Sequence, residues 1–294
     1  INSEVPLDDV LHGLVIQSGN DAAIALAEHV AGSESAFVDL MNGYAKRLGM
    51  TRSNFVNAHG LTAEGHVMSA RDIAILSRAL ISQFPDHYAL YKIKEFTYGG
   101  IQQWNRNGLL WKDASVDGLK TGHTEAAGYC LAASAKRGDQ RLISVVLGID
   151  TQSRSEGFKA REEGNLALLN WGFRFFETHS VYEAGKQVAE QKLWRGEAET
   201  VALGVARPLL VTLPRGRYAE SILLRGATQS AIHRNPGSFI RAAQVRSHRL
   251  FARRRYRQQQ ALHHRQPQSL CFRGTSVINA WGVDTDSRGA SRKS

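Results

Sequence analysis

Two short stretches of this chain carry side chains able to handle protons and anions beside residues small enough to let a ligand approach. The first presents Ser18, Gly19 and Asn20 between two apolar-periodic segments. The second is Lys120-Thr121-Gly122-His123, at the end of a short apolar strand and just before Glu125-Ala126-Ala127-Gly128-Tyr129. A hydroxyl and a carboxamide at a helix–helix corner can orient an amide substrate or pass a proton. A strand bearing Lys-Thr can hold an anionic group by charge and hydroxyl. Gly122 leaves the backbone bare, so that an extended ligand can lie alongside as an added strand. The N–H that follows can then stabilise a developing oxyanion. Each stretch also has a plain reading. Ser-Gly-Asn by itself is most often a turn with an N-cap, and Lys-Thr-Gly a surface turn.

The surrounding pattern supplies the elements that position them. Leu7, Val10, Leu11, Leu14 and Val15 recur at helical spacing, and a second helix is predicted from Asp21 after a break at Gly19. Ser33 and Gly49 bracket a third helix, with Phe37, Leu40, Met41, Tyr44 and Leu48 on one face. Ser69 and Asp72 stand in capping-box spacing at the start of a fourth. Two alternating runs around Gly99-Gly100 predict a hairpin. The apolar runs beginning at Gly128 and Arg141, split by a turn at Arg137–Gln140, predict adjacent antiparallel strands, and helical spacing returns from Glu162. From about Val181 three alternating runs predict a small separate β module.

Composition narrows the field. No run of 18 or more apolar residues occurs, so no membrane-spanning helix is predicted. The start at Ile1 shows neither an initiator Met nor a secretory signal, and suggests that upstream material is missing. Cys130 and Cys271 give neither a disulfide framework nor a metal cluster. The formal charge of +10 is unevenly spread. Residues 221–294 hold 13 Arg and one Lys against Asp284 and Asp286, a net of +12, which leaves −2 for the first 220 residues. Whole-chain charge therefore says little about partners. The periodic patterning ends near Glu220. The tail beyond reads either as a basic disordered arm or as out-of-frame translation; the scarcity of Lys favours the second, since nucleic-acid arms usually mix Lys with Arg.

Taken together, in this order and on these elements, Ser-x-Asn and Lys-Thr-Gly are two of the three signatures of penicillin-recognising serine enzymes; the third is Ser-x-x-Lys. With Asn57-Ala58-His59-Gly60-Leu61, Asn105-Arg106-Asn107-Gly108 and Val116–Tyr129, the chain resembles the low-molecular-mass penicillin-binding proteins that act as D-alanyl-D-alanine carboxypeptidases, from about Val5 to about Tyr218. The resemblance implies an α/β (α+β) fold: a β-lactamase-like transpeptidase domain, with helices around an antiparallel sheet, over residues 1–178. It also implies the start of a C-terminal β-rich domain over 179–222, followed by the basic tail, 223–294. It assigns Ser18 to proton relay, Asn20 to substrate and base orientation, and Lys120 to the field of the site. Thr121 would meet the terminal carboxylate beside the bare backbone of Gly122, and the His123 N–H would form half of an oxyanion hole. Arg161 would help grip the carboxylate, its plain reading being a surface arginine at a helix start. His59 would sit in a loop bordering the site, in a structural role.

The same resemblance implies peptidoglycan stem peptides ending in D-Ala-D-Ala as substrates, β-lactams as inhibitors, a periplasmic or cell-envelope location, and no metal or organic cofactor. No specific nucleic-acid partner is expected, although a basic-tailed nucleic-acid-binding protein and a non-catalytic peptidoglycan-binding protein stand as alternatives. Two departures accompany it. None of the serines has a lysine three residues on, so the chain as written is expected to lack carboxypeptidase activity. The end of the β domain and the family's amphipathic membrane-surface helix cannot be read after Glu220.

Overall fold

The computed structural model describes residues 4–192 and 199–218. The expectations for the tail, Cys271 and the end of the β domain lie outside these residues. Two compact units divide at Gly172/Phe173.

In the first unit, helix α1 (Leu7–His12) runs into a π-helical turn (Gly13–Gln17), and α2 (Asn20–Ala31) follows at once. Helix α3 (Glu34–Leu48) begins where Ser33 Oγ accepts the Ala36 N–H and ends at Gly49, whose φ of +80° suits glycine. Its buried positions are Val38 and Ala45, while Leu40 and Tyr44 of the expected apolar stripe stay 46% and 58% exposed. The Arg47 guanidinium, 3.9 Å from the Tyr44 ring centre, covers that tyrosine in part. Helix α4 (Ala70–Gln83) starts as its spacing predicts, with Ser69 Oγ accepting the Asp72 N–H. A short α5 (Pro85–Tyr88) leads to the hairpin of β1 (Glu95–Tyr98) and β2 (Ile101–Trp104), and a one-turn α6 (Leu109–Lys112) follows.

The central sheet is antiparallel, in the order β3 (Val116–Thr124), β4 (Gly128–Arg137), β5 (Gln140–Ile149). Ala70 of α4 and Tyr88 pack with Leu119, Ala132 and Val145, flanked by Ile73, Ala74 and Ile81. Helix α7 (Arg154–Phe175) lies over residues of the other face. Its Asn165, fully buried, donates to Leu131 O (3.1 Å) and accepts from Ser144 Oγ (2.6 Å). Close approach explains why α7 is not a strongly apolar helix. A Cβ at Gly172 would lie 2.6 Å from Leu142, and one at Gly157 would fall inside the Tyr129 ring. These glycines, with Gly164 over Val146, let helix backbone replace side chains at the contact.

In the second unit, β6 (Phe176–Tyr182) pairs with β9 (Leu209–Pro214), and β7 (Gln187–Lys192) pairs with β8 (Thr200–Gly204), all antiparallel. Strand β6 starts within a run whose spacing reads as helical. Arg215 stops the helix there, its guanidinium donating to Arg174 O and Phe173 O, both at 3.1 Å. Among the described residues, no helix is long and apolar enough to cross a membrane.

Candidate active site

Ser18 sits at the end of the π turn with φ +60°, the only described non-glycine residue with positive φ. That conformation costs a non-glycine residue about 1–2 kcal/mol. It is held because Gly13 O, at the start of the turn, accepts the Gly19 N–H (3.2 Å). Asn20 then opens α2 in an exposed position. Hydroxyl and carboxamide are thus presented from one corner, as the spacing predicts, and the strain falls at the residue that bears the hydroxyl.

Lys120, Thr121 and Gly122 lie on β3, paired with Ala132, Leu131 and Cys130 of β4. Strand β3 is an edge of the sheet, so its far side has no strand partner among the described residues. A Cβ at Gly122 would make only ordinary contact with Cys130, at 3.7 Å. Packing within the sheet therefore does not demand glycine there. His123 stacks on Tyr129 with ring centres 4.0 Å apart, and Phe158 of α7 meets Tyr129 edge-on at 5.6 Å. The His123 backbone is thereby set against a buried ring.

The register of β3 is fixed upstream. Arg141 grips Asp117 with two bonds of 2.7 Å, and Tyr88 Oη donates to the same carboxylate at 2.5 Å. Burial and the neighbouring carboxylate push the Tyr88 phenol far up, so it remains a donor.

Charge in the site is one-sided. Burial, first, and then the nearby Arg106 and Arg161 guanidiniums together lower the Lys120 pKa from its usual 10.5 to about 8. Lys120 Nζ donates to Thr121 O at 3.1 Å, and neither Lys120 nor Arg106 has a carboxylate in salt-bridge range among the described residues. Arg161 lies within α7 and is 3% exposed, unlike a surface arginine at a helix start. Its Nη1 donates to Cys130 O (3.5 Å) and its Nη2 to Arg106 O (3.2 Å), with Phe158 beneath the guanidinium.

Gln17 joins the corner to this cluster: its Nε2 donates to Trp104 O (2.9 Å) and its Oε1 accepts from Arg106 Nη2 (3.5 Å). The structure therefore brings Lys120 together with Arg161 and Arg106, and ties the Ser18–Asn20 corner to Arg106. Sequence reasoning gave no role to Gln17, Arg106 or Tyr129. The signal available for Arg106 was its place between two asparagines, both of which prove to be buried.

His59 sits apart from these groups. Its Nδ1 accepts from Leu61 N (3.2 Å) and its Nε2 faces Glu34 Oε1 at 3.7 Å, so the ring braces its own loop. The described residues contain no group of three or more His, Cys, Asp or Glu side chains able to hold a metal ion.

Comparison with known proteins points the same way. Residues 1–151 match the family D-alanyl-D-alanine carboxypeptidase, and residues 176–221 match the C-terminal domain of penicillin-binding protein 5. The chain is 49% identical over 218 residues to D-alanyl-D-alanine carboxypeptidase DacA of Escherichia coli K12, covering 74% of this chain and 53% of that protein. It thus spans about half the length of that relative. Among solved structures, penicillin-binding protein 5 of Haemophilus influenzae superposes with a TM-score of 0.65 at 43% identity, covering 75% of this chain and 63% of the other. Penicillin-binding protein D2 of Listeria monocytogenes, solved in a cefotaxime-bound form, gives 0.50 at 34% identity, covering 55% and 66%.

Proposed function

The chain belongs to the D-alanyl-D-alanine carboxypeptidase family, and from that premise we propose that its residues form the substrate-side wall of a serine-type carboxypeptidase site. The substrate is a peptidoglycan stem peptide ending in D-Ala-D-Ala, met in the cell envelope on the periplasmic side. The observation that carries this reading is the open edge of β3. There Lys120 and Thr121 sit beside a bare Gly122, in the field of Arg106 and Arg161, and neither Lys120 nor Arg106 has a carboxylate in salt-bridge range among the described residues.

The peptide lies along β3 as an added strand, and its terminal carboxylate meets the Thr121 hydroxyl within that field. The carbonyl of the penultimate D-Ala then faces the His123 N–H, placed to bind its developing negative charge. Ser18 relays the proton that the leaving amine of the last D-Ala needs, and the Asn20 carboxamide holds the substrate amide. Attack by a serine hydroxyl forms an acyl-enzyme, and water releases the shortened peptide. β-Lactams imitate the dipeptide and stop at the acyl stage. The Ser-x-x-Lys nucleophile is not among these 294 residues. What they supply is recognition and proton handling, so the polypeptide alone binds without turning over.

The test is binding of a short peptide ending in D-Ala-D-Ala, followed by NMR. Thr121→Ala should weaken it by about tenfold, the worth of one hydrogen bond to a charged group. Equal affinity for the matching L-Ala-L-Ala peptide, or no response to Thr121→Ala, sinks the assignment.

A further inference from the structure

The ladder between β3 and β4 carries one residue too many. The Lys136 N–H donates to Ser115 O (2.8 Å) and Val116 stands opposite Ala135, but Gly118 already stands opposite Ser134. Asp117 therefore has no counterpart on β4 and is the extra residue of a β-bulge. Beyond it the pairing is regular: Leu119 with Ala133, Lys120 with Ala132, Thr121 with Leu131. Opposed residues share a face and faces alternate along a strand, so a slip of one residue exchanges them. Were Asp117 to take the place opposite Ser134, Lys120 would oppose Leu131, and Lys120 and Thr121 would trade faces. Bulges beside active sites re-aim side chains in this way.

The bulge is held from two neighbouring elements and tied to a third. Arg141 of β5 donates to both Asp117 carboxylate oxygens at 2.7 Å. Its Nη1 also donates to Ser134 Oγ (2.7 Å), on the fully buried residue opposite Gly118. Tyr88, the last residue of α5, donates its phenol proton to Asp117 Oδ1. The same phenol lies against the next residue of the strand, since a Cβ at Gly118 would stand 2.9 Å from Tyr88 Oη. Tyr88 is itself packed in the core with Leu119. Charge-assisted bonds are about twice as strong as neutral ones, and here they converge on the one residue that the ladder leaves out. On its far side β3 has no strand partner among the described residues, so backbone pairing holds its register from one side.

Resting on the substrate reading above for what Lys120 and Thr121 do, we propose that Asp117, clamped by Arg141 and Tyr88, is a positioning residue of the site: its bulge selects the face of β3 on which Lys120 and Thr121 stand. Asp117 touches no ligand. It acts through the register of the strand, and the clamp keeps the bulge where it is.

The experiment reads the register directly, by NMR on the 294-residue protein. In the wild type, cross-strand contacts should join Lys120 to Ala132, and the Lys120 ε-carbon signal should titrate near pH 8. Asp117→Ala should bring Lys120 opposite Leu131 and move that midpoint up toward the ordinary 10.5. It should also weaken a D-Ala-D-Ala peptide by about tenfold or more, the worth of a lost bond to a charged group. Asp117→Asn, which keeps an oxygen for the Tyr88 phenol, should restore part of all three. The proposal is overturned if Asp117→Ala lowers the urea midpoint while the Lys120–Ala132 contact and the midpoint near 8 persist, for Asp117 would then serve stability alone. A shifted register that leaves peptide affinity within twofold overturns it as well. Should Asp117→Ala not fold, Tyr88→Phe decides: it should populate the shifted register beside the native one, and a single native register counts against the proposal. Register and midpoint are read without peptide. A wild type that ignores the D-Ala-D-Ala peptide therefore sinks the substrate reading, while the Asp117 variants still show whether the bulge selects the face.

Discussion

Lys120 is protonated near neutral pH, yet it sits where burial and two guanidiniums work against that charge. A bound carboxylate offsets the conflict. Ligand affinity should therefore track the lysine's charge: strong below about pH 8, falling as the pH rises through that value, and level once the amine is neutral. Because the carboxylate favours the charged form, binding at pH 8 to 9 should take up protons, measurable by calorimetry in two buffers of different ionisation enthalpy. Affinity for the acid peptide that stayed flat from pH 7 to 10 would remove Lys120 from recognition. Stability runs the other way. Between the folded value, about 8, and the unfolded one, 10.5, the unfolded chain binds more protons, so folding is favoured as pH rises through that window. At this scale the placing of Ser18 and Asn20 on one corner and of Lys120 and Thr121 on one strand was legible, because each pair stands in nearly adjacent letters. Arg106 was not. Its place beside Lys120 rests on bonds to residues 17 and 161, and single-sequence spacing carries no record of such distant pairings.

Helix α7 is the element on which Tyr129 and Arg161 lean, through its glycine backbone at Gly157 as well as through Phe158. Gly157 admits Tyr129, which in turn carries His123. Gly157→Ala should destabilise the protein by about 1–3 kcal/mol, the usual cost of overpacking a filled site. It should also displace the His123 amide signal and weaken peptide binding. A urea midpoint unchanged by the substitution would mean that α7 does not press on Tyr129. This packing also explains which elements the sequence revealed. Helices α3 and α4 announce themselves by Ser33 and Ser69, whose hydroxyls cap as their positions predict. The turn at Gly99-Gly100, with φ of +58° and +77°, is equally local. Helix α7 starts eight residues before the helical pattern at Glu162, because its first turns carry glycine and polar residues around the single aromatic contact of Phe158 with Tyr129. An apolar-periodicity reading passes over such a surface. The exposed half of the α3 stripe is the converse error, since spacing ranks residues by type and burial depends on what lies opposite.

At the scale of the whole chain, chemistry and charge are separated. The site groups lie within the first unit, while the excess positive charge belongs to residues 221–294. Any binding to DNA should therefore be weak, fall steeply with salt, and vanish from a protein ending at Glu220. DNA binding that survives that truncation would need a second basic surface. The proposed reaction is divided in the same manner. The groups proposed above for recognition, the His123 N–H, the β3 edge and the cations around Lys120, lie in this chain, but no Ser-x-x-Lys occurs in the 294 residues. In a serine hydrolase, loss of the nucleophile alone lowers turnover on the order of a millionfold, while binding groups keep their function. The polypeptide of these residues should accordingly bind the D-Ala-D-Ala peptide reversibly and show no covalent band with a fluorescent penicillin after denaturing electrophoresis. A band that appears, and is lost on Ser18→Ala, would make Ser18 the attacking hydroxyl. It would then be the nucleophile itself, with its αL backbone serving attack rather than relay.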